Sequence, residues 1–186
     1  MKKVLKLTFV LFLICAITAG ILGVINELTW RQIAEQNRIK TVRAYSNVLA
    51  SDDYEEIDFA AAGVPAAING VVIDKISRAS NGAGYVVEST FSGAQGSITM
   101  AVGVNDALKC TGISIIKHSE TSGLGANAAS SSEIGVNFRQ QFVGQDGSIA
   151  LTKAGGSIDA LAGATITSRA VTNATAASIE AVGMLG

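Results

Sequence analysis

The sequence predicts an α+β protein in which an N-terminal transmembrane helix precedes a domain built from an antiparallel sheet and flanking helices. Three patterns predict this fold class. Leu7–Ile25 contains nineteen residues without a charge, which is long enough for a helix to cross a bilayer. Apolar residues alternate along 98–104, as in a half-buried strand. They recur every three to four positions along 171–182, as in an amphipathic helix.

Length and composition suit one such domain with an accessory segment. The chain has 186 residues and a net charge of −1, which argues against nucleic acid as a partner. Two cysteines, Cys15 and Cys110, and one histidine, His118, are too few for a zinc site or an iron–sulfur cluster, so no metal site is predicted. Because His118 has no paired acidic motif, a structural role is predicted for it and no catalytic residue is assigned.

The charges around the apolar run predict its orientation. Three lysines precede the run and an acidic residue follows it: Lys2, Lys3, Lys6 and Glu27. Because positive charge stays on the cytoplasmic side, we expect a cytoplasmic N-terminus and an extracytoplasmic domain. A cleaved signal peptide is the alternative. The run continues past the small pair Ala19-Gly20, which favours an uncleaved, single-pass anchor.

Three segments are predicted along the chain: a transmembrane anchor over 1–26, a helical connector over 27–69 and the folded domain over 70–186. Glu27–Leu49 has few helix-breaking residues, so we expect a helix that prolongs the membrane helix and packs on the domain. A solvated linker helix is the alternative. The acidic run 51–56 is interpreted as a solvated break.

Within the domain, four strand-like runs are separated by turns rich in glycine, serine and asparagine. The runs lie at 71–73, 85–91, 98–104 and 113–117. Consecutive runs joined by short turns predict an antiparallel meander. Ser132 precedes a helical pattern over 133–142, and Thr165 or Thr167 is placed to cap the terminal helix.

The segment Asp159–Ser168 carries the strongest functional pattern. Its Gly163-Ala164 pair leaves the hydroxyl of Thr165 unshielded and lets another molecule approach the backbone closely. The helix that begins here has free backbone N–H groups in its first turn, and these favour an anion. An ordinary hydroxyl-capped helix is the alternative interpretation of this segment.

A second pattern, His118–Gly125, ends the return strand. It contains one carboxylate, three hydroxyls and two glycines. A loop of this composition can donate and accept hydrogen bonds and can lie close beneath a planar ligand. Taken alone, a plain surface loop is the simpler interpretation.

Together the two patterns resemble the FMN-binding domain shared by the G subunit of the Rnf electron-transport complex and the C subunit of the sodium-translocating NADH:quinone oxidoreductase. The flavinylation motif of that family is matched by Asp159, Gly163, Ala164, Thr165 and Thr167. The resemblance covers 70–186, and the N-terminal anchor agrees with it. The sequence departs from the family at Ala162, where the family has serine, and at Ser122, where it has proline.

The resemblance implies that a flavin transferase joins FMN through a phosphoester to Thr165. The cofactor-binding residues then expected are Thr165, Glu120, Thr121, Gly123, Leu124, Gly125, Lys153, Gly163, Ala164, Ile166 and Thr167. Lys153 is included because a lysine can meet the phosphate or the electron-rich side of a reduced ring. A solvated lysine is the alternative.

The function implied by the resemblance is electron transfer in a membrane complex that translocates ions. The chain would be the flavoprotein subunit of an Rnf-type ferredoxin:NAD oxidoreductase in a bacterial inner membrane, with other subunits, the transferase and membrane lipid as partners. We expect no complete reaction from this chain alone, because no NAD-binding motif is visible. The alternatives are a subunit of the NADH:quinone type, a free-standing anchored FMN carrier, and an anchored binding domain without redox chemistry.

Overall fold

A computed structural model describes residues 2–185. Met1 and Gly186, which begin the predicted anchor and end the predicted domain, lie outside the described residues. The chain divides into two compact units, one ending at Lys40 and the other beginning at Thr41, and each is described by itself.

The first unit consists of one long helix. This helix, α1, runs over Lys2–Val48 and continues into the second unit. It contains an 18-residue window with a mean hydropathy of 2.6, none of it buried, so it is long and apolar enough to cross a membrane. The hydroxyls of Thr8 and Thr18 donate to carbonyls four residues earlier, each at 3.0 Å. These bonds satisfy two polar side chains inside the helix, as a hydrocarbon environment requires.

The second unit contains a six-stranded antiparallel sheet. Its strands are β1 (Tyr54–Ile57), β2 (Ala67–Ile68), β3 (Val71–Ala79), β4 (Tyr85–Ser92), β5 (Ser97–Val104) and β6 (Cys110–Lys117). Their order is β1-β3-β4-β5-β6, with β2 paired to β3. The meander from β3 to β6 confirms the predicted antiparallel sheet, and its strand bounds extend the runs seen in the sequence.

The segment predicted as a helical connector over 27–69 is helical only as far as Val48. Beyond it, β1 and β2 both lie inside the predicted connector, and β1 includes residues assigned to a solvated acidic break. Tyr54 pairs with Ala79 in the register, and Glu56 forms a 2.7 Å salt bridge with Lys75 on β3. These acidic residues form a strand because β3 offers an open edge with a complementary charge. Strand formation here depends on pairing with β3, which the strand propensity of residues 54–57 does not reveal.

Two helices and two short 3-10 turns complete the unit. They are α2 (Glu133–Gln140), α3 (Thr165–Gly183) and the 3-10 turns Gly125–Ala129 and Thr152–Ala154. Helix α3 contacts β3, β4, β5 and β6 and covers the main core. Its buried face is rich in alanine, threonine and serine. Thr172, Thr175 and Ser178 donate to carbonyls four residues earlier, so their buried hydroxyls are satisfied and the helix can lie close to the sheet.

The opposite face of the sheet is covered by the end of α1. Ala44, Tyr45, Val48 and Leu49 form a smaller core with Ala79, Val86 and Ala101. The hydroxyl of Tyr45 donates to Glu88 Oε2 on β4 at 3.1 Å. The last turns of α1 therefore pack on the domain, as the sequence predicted for the helix leading to it.

Gly103 lets the end of α1 approach the sheet closely. A Cβ at this position would lie 2.5 Å from Val48 O and 2.3 Å from Thr111 Oγ1. We expect Gly103→Ala to lower the free energy of unfolding of the domain by about 1–3 kcal/mol. The added methyl group would force the Val48 backbone or strand β6 to move, and either movement loses packing. Chemical denaturation of the detergent-solubilised protein, followed by circular dichroism, measures this. Gly147→Ala is the matched control, because its Cβ would meet nothing closer than 3.7 Å. Equal stability of the two variants would contradict the prediction.

Candidate functional site

Three segments of the second unit meet around one cavity of about 310 Å³. They are the turn between β4 and β5, the loop after β6 and the first turn of α3. The lining residues are Ala94, Gln95, Glu120, Thr121, Leu124, Gly125, Gly163, Ala164, Thr165, Ile166 and Thr167. All the predicted site residues except Gly123 and Lys153 therefore line this cavity. Ala94 and Gln95 were not predicted, because their turn carries no pattern beyond that of an ordinary hairpin.

Glu120 ties the three segments together. Its side chain is only 8% exposed. Oε1 accepts hydrogen bonds from the backbone N–H groups of Ala94 at 2.9 Å and Gln95 at 3.0 Å. Oε2 accepts a hydrogen bond from the hydroxyl of Thr167 on α3. We call this set of contacts, formed by Glu120 with Ala94, Gln95 and Thr167, the Glu120 clasp.

The clasp also sets the charge of the cavity. Burial acts to raise the pKa of the Glu120 carboxyl, but the three hydrogen bonds that the carboxylate accepts in the clasp outweigh it. The pKa of Glu120 therefore lies below its ordinary value of 4.5, and the group is an anion near neutral pH. His118 accepts a hydrogen bond from the Glu120 backbone N–H through Nδ1 at 3.3 Å.

Gly125 is needed where the loop passes over the clasp. A Cβ at this position would lie 2.3 Å from Glu120 Oε2 and 2.6 Å from Thr167 Oγ1. The loop is held by its own hydrogen bonds, although Ser122 replaces the proline of the family. Asn127 Nδ2 donates to Gly123 O at 3.0 Å, and the Ala126 N–H donates to Thr121 O at 3.2 Å. Gly123 thus belongs to the loop without lining the cavity.

The three hydroxyls at the start of α3 have different environments. The Thr167 hydroxyl is buried and bonded to Glu120. Ser168 Oγ is buried, donates to Ala164 O at 2.9 Å and accepts from the Leu161 N–H at 2.9 Å. Thr165 is half-buried, and its hydroxyl has no hydrogen-bond partner among residues 2–185. Of these three hydroxyls, that of Thr165 is therefore the one without a protein partner in the described part of the chain.

Neither predicted helix cap is observed. Helix α3 begins at Thr165, its N-cap residue is Ala164, and no side chain caps it. Thr167 lies inside the first turn and is bonded to a distant carboxylate instead. No capping side chain therefore accepts a hydrogen bond from the backbone N–H groups of that first turn.

A second cavity, of about 230 Å³, also includes Thr165 in its lining. The other lining residues are Ala150, Leu151, Lys153, Ala154, Arg169, Thr172 and Asn173. The predicted residue Lys153 lies here and not in the first cavity. Arg169 and Asn173 were not predicted, although their spacing of four and eight residues from Thr165 places them on one helix face and was visible in the sequence.

Comparison with known proteins identifies the family. The FMN-binding domain family matches residues 93–180, which include both cavities. The chain is 32% identical over 186 residues to the G subunit of the ion-translocating oxidoreductase complex of Methanosarcina acetivorans, covering 97% of this chain and 95% of that protein. The chain belongs to this family of G subunits. A second member is the G subunit of the Na(+)-translocating ferredoxin:NAD(+) oxidoreductase complex of Acetobacterium woodii, which is 33% identical over 96% of this chain and 91% of that protein.

A solved structure supports the fold of this member of the G-subunit family. The C subunit of the Na(+)-translocating NADH-quinone reductase of Parabacteroides distasonis matches with a TM-score of 0.56 and 18% identity. The match covers 84% of this chain and 96% of that chain. The family and the fold class predicted from the sequence are both confirmed.

Proposed function

We propose that this chain is the membrane-anchored flavoprotein subunit of an Rnf-type, ion-translocating electron-transport complex, and that FMN is joined to it by a phosphoester on Thr165. The observation that carries the proposal is the environment of Thr165. Of three neighbouring hydroxyls it has the free one, and it borders the cavities of a domain that belongs to an FMN-binding family.

The residues of the first cavity fit the ring of FMN. A volume of about 310 Å³ is at the lower end of the roughly 300–1,000 Å³ typical of small-molecule sites. Two apolar side chains at the cavity, Leu124 and Ile166, are 44% and 63% exposed and are therefore available to cover a planar apolar surface. Gly163, which is exposed, leaves its backbone open at the same place. A half-open site of this kind suits a cofactor that must exchange electrons with partners.

The chain contributes attachment, position and shielding. When bound, FMN supplies the redox chemistry of the protein. Attachment would form a bond between Thr165 Oγ and the flavin-side phosphorus of a flavin dinucleotide donor. The pyrophosphate bond of the donor would break, a nucleoside monophosphate would leave, and the hydroxyl proton would pass to a base of the transferase. A covalent bond prevents loss of the cofactor on the extracytoplasmic side. The Glu120 clasp fixes the first turn of α3 against the β4–β5 turn, which holds Thr165 at the cavity.

Intact mass of the protein purified from native membranes tests the proposal. We expect a mass increase equal to FMN less one water, and a peptide map that places it on Thr165. An unmodified mass, together with no flavin fluorescence in a denaturing gel, would instead support an anchored domain without redox chemistry. Co-purification of further subunits would distinguish a complex from a free-standing FMN carrier, and their cofactors would distinguish the ferredoxin:NAD type from the NADH:quinone type.

The orientation in the membrane is a separate prediction. Lysines precede the apolar part of α1, so we expect a cytoplasmic N-terminus and an extracytoplasmic domain. Alkaline phosphatase fused to the C-terminus should be active, and a cytoplasm-dependent fluorescent reporter at the same position should be dark. The opposite pattern would overturn the orientation. Replacing Lys3 and Lys6 with acidic residues is the control, and it should weaken the preference for a cytoplasmic N-terminus.

A further inference from the structure

Thr165 lies between two cavities of opposite charge. The first cavity contains the Glu120 carboxylate, and the described residues that line it include no lysine or arginine. The second contains Lys153 and Arg169, and its described lining includes no aspartate or glutamate. A negatively charged group attached to Thr165 is thus repelled on one side and attracted on the other.

The two cations of the second cavity are exposed and have no polar partner among the described residues. Within residues 2–185, neither Lys153 nor Arg169 forms a salt bridge or a side-chain hydrogen bond. Two other cations of the domain, by contrast, have partners. Arg139 donates to two backbone carbonyls at 2.7 and 2.9 Å, and Lys109 forms a 3.2 Å salt bridge with Asp146.

The fold brings both cations to Thr165 from different elements. Arg169 is four residues after Thr165 on α3, so the two share one face of the helix one turn apart. Lys153 comes from the 3-10 turn Thr152–Ala154. The uncapped first turn of α3 adds the partial positive charge of a nineteen-residue helix.

We propose that the second cavity is the phosphate subsite, in which Lys153 and Arg169 bind the phosphodiester carried by Thr165 while the first cavity receives the ring. This inference rests on the proposed function. It assigns Arg169 a binding role, and it assigns Lys153 to the phosphate rather than to the ring. Guanidinium and ammonium groups suit this task because both donate charge-assisted hydrogen bonds to phosphate oxygens.

Phosphorus NMR of the flavinylated full-length protein in detergent micelles tests the subsite directly. Intact mass first establishes that FMN is attached in each sample. We expect the phosphodiester resonance of Lys153→Gln/Arg169→Gln to be displaced from that of the wild type. Lys109→Gln is the matched control, since it removes a lysine that pairs with Asp146, and it should leave the resonance unchanged. An unchanged resonance in the flavinylated double variant would overturn the subsite while the proposed function stands. Absence of covalent FMN from the wild type would overturn both.

A second measurement applies to the protein without flavin. Thr165→Asp places a carboxylate at the attachment position, and Thr165→Asn is its neutral match. We expect the melting temperature of Thr165→Asp to be about 1–4 °C above that of Thr165→Asn when Lys153 and Arg169 are present. This difference should shrink when both cations are replaced by glutamine. The charge of the helix terminus is common to both backgrounds and cancels. A gap of equal size in the two backgrounds would overturn the inference, even if the double variant cannot be flavinylated.

Discussion

Thr165→Val should give a folded protein that carries no covalent FMN. Valine keeps the branched shape of the half-buried threonine, and the hydroxyl that it removes has no partner among residues 2–185, so little stability should be lost. The nucleophile for the phosphoester is lost completely. In-gel flavin fluorescence after denaturation should fall to background, intact mass should equal that of the unmodified chain, and the complex should lose most of its electron flow.

Two neighbouring hydroxyls provide the controls. Thr167→Val should keep covalent FMN at reduced occupancy, because it breaks the bond to Glu120 without touching Thr165. Ser168→Ala should also keep FMN, since that hydroxyl is buried and bonded within the helix start. FMN found on Thr167 in a peptide map would contradict the assignment, as would covalent flavin that persists in Thr165→Val.

Local patterns in the sequence predict most of the sheet and α3. Apolar residues alternate along β5, short polar turns separate β4, β5 and β6, and each strand pairs with its neighbour in the chain, so no long-range information is needed. Local patterns do not predict that residues 118–125 lie next to the start of α3. No periodicity brings Glu120 to Thr167, which is 47 residues away, and only the family resemblance indicated that the two segments share a site.

The predictions that were wrong or incomplete also involve contacts between segments that are distant in the sequence. Strand β1 has two acidic residues between its apolar ends and becomes a strand only by pairing with β3. Thr167 is a residue type that commonly caps helices, and it lies near the start of α3. Its hydroxyl instead donates to the buried Glu120 carboxylate, because a buried carboxylate oxygen without a partner would be costly. Arg169 was overlooked because a charged residue on an amphipathic helix is usually solvated. Its relevance depends on Lys153 reaching the same cavity.

Glu120→Gln should lower the free energy of unfolding by about 1.5–3 kcal/mol near neutral pH, the range for hydrogen bonds to a charged group. Glutamine has nearly the same shape, but it replaces a carboxylate that accepts two backbone N–H bonds and one hydroxyl bond. The clasp connects the β4–β5 turn to the first turn of α3, so its loss should loosen Thr165. We expect covalent FMN to remain attached, with a changed absorbance spectrum.

The pH dependence of this effect separates a charged clasp from simple packing. The folded pKa of Glu120 lies below its ordinary value of 4.5, so the clasp stabilises the fold fully above that value. As the pH falls below 4.5 towards the lower folded pKa, the carboxylate is protonated and the advantage is lost. The wild type should therefore exceed Glu120→Gln in melting temperature at about pH 7, and the difference should narrow steadily below pH 4.5. Glu55→Gln, an exposed position on the edge strand β1, is the matched control and should show little difference at either pH. A gap between wild type and Glu120→Gln that stays constant across this range would show that shape, and not charge, holds the three segments together.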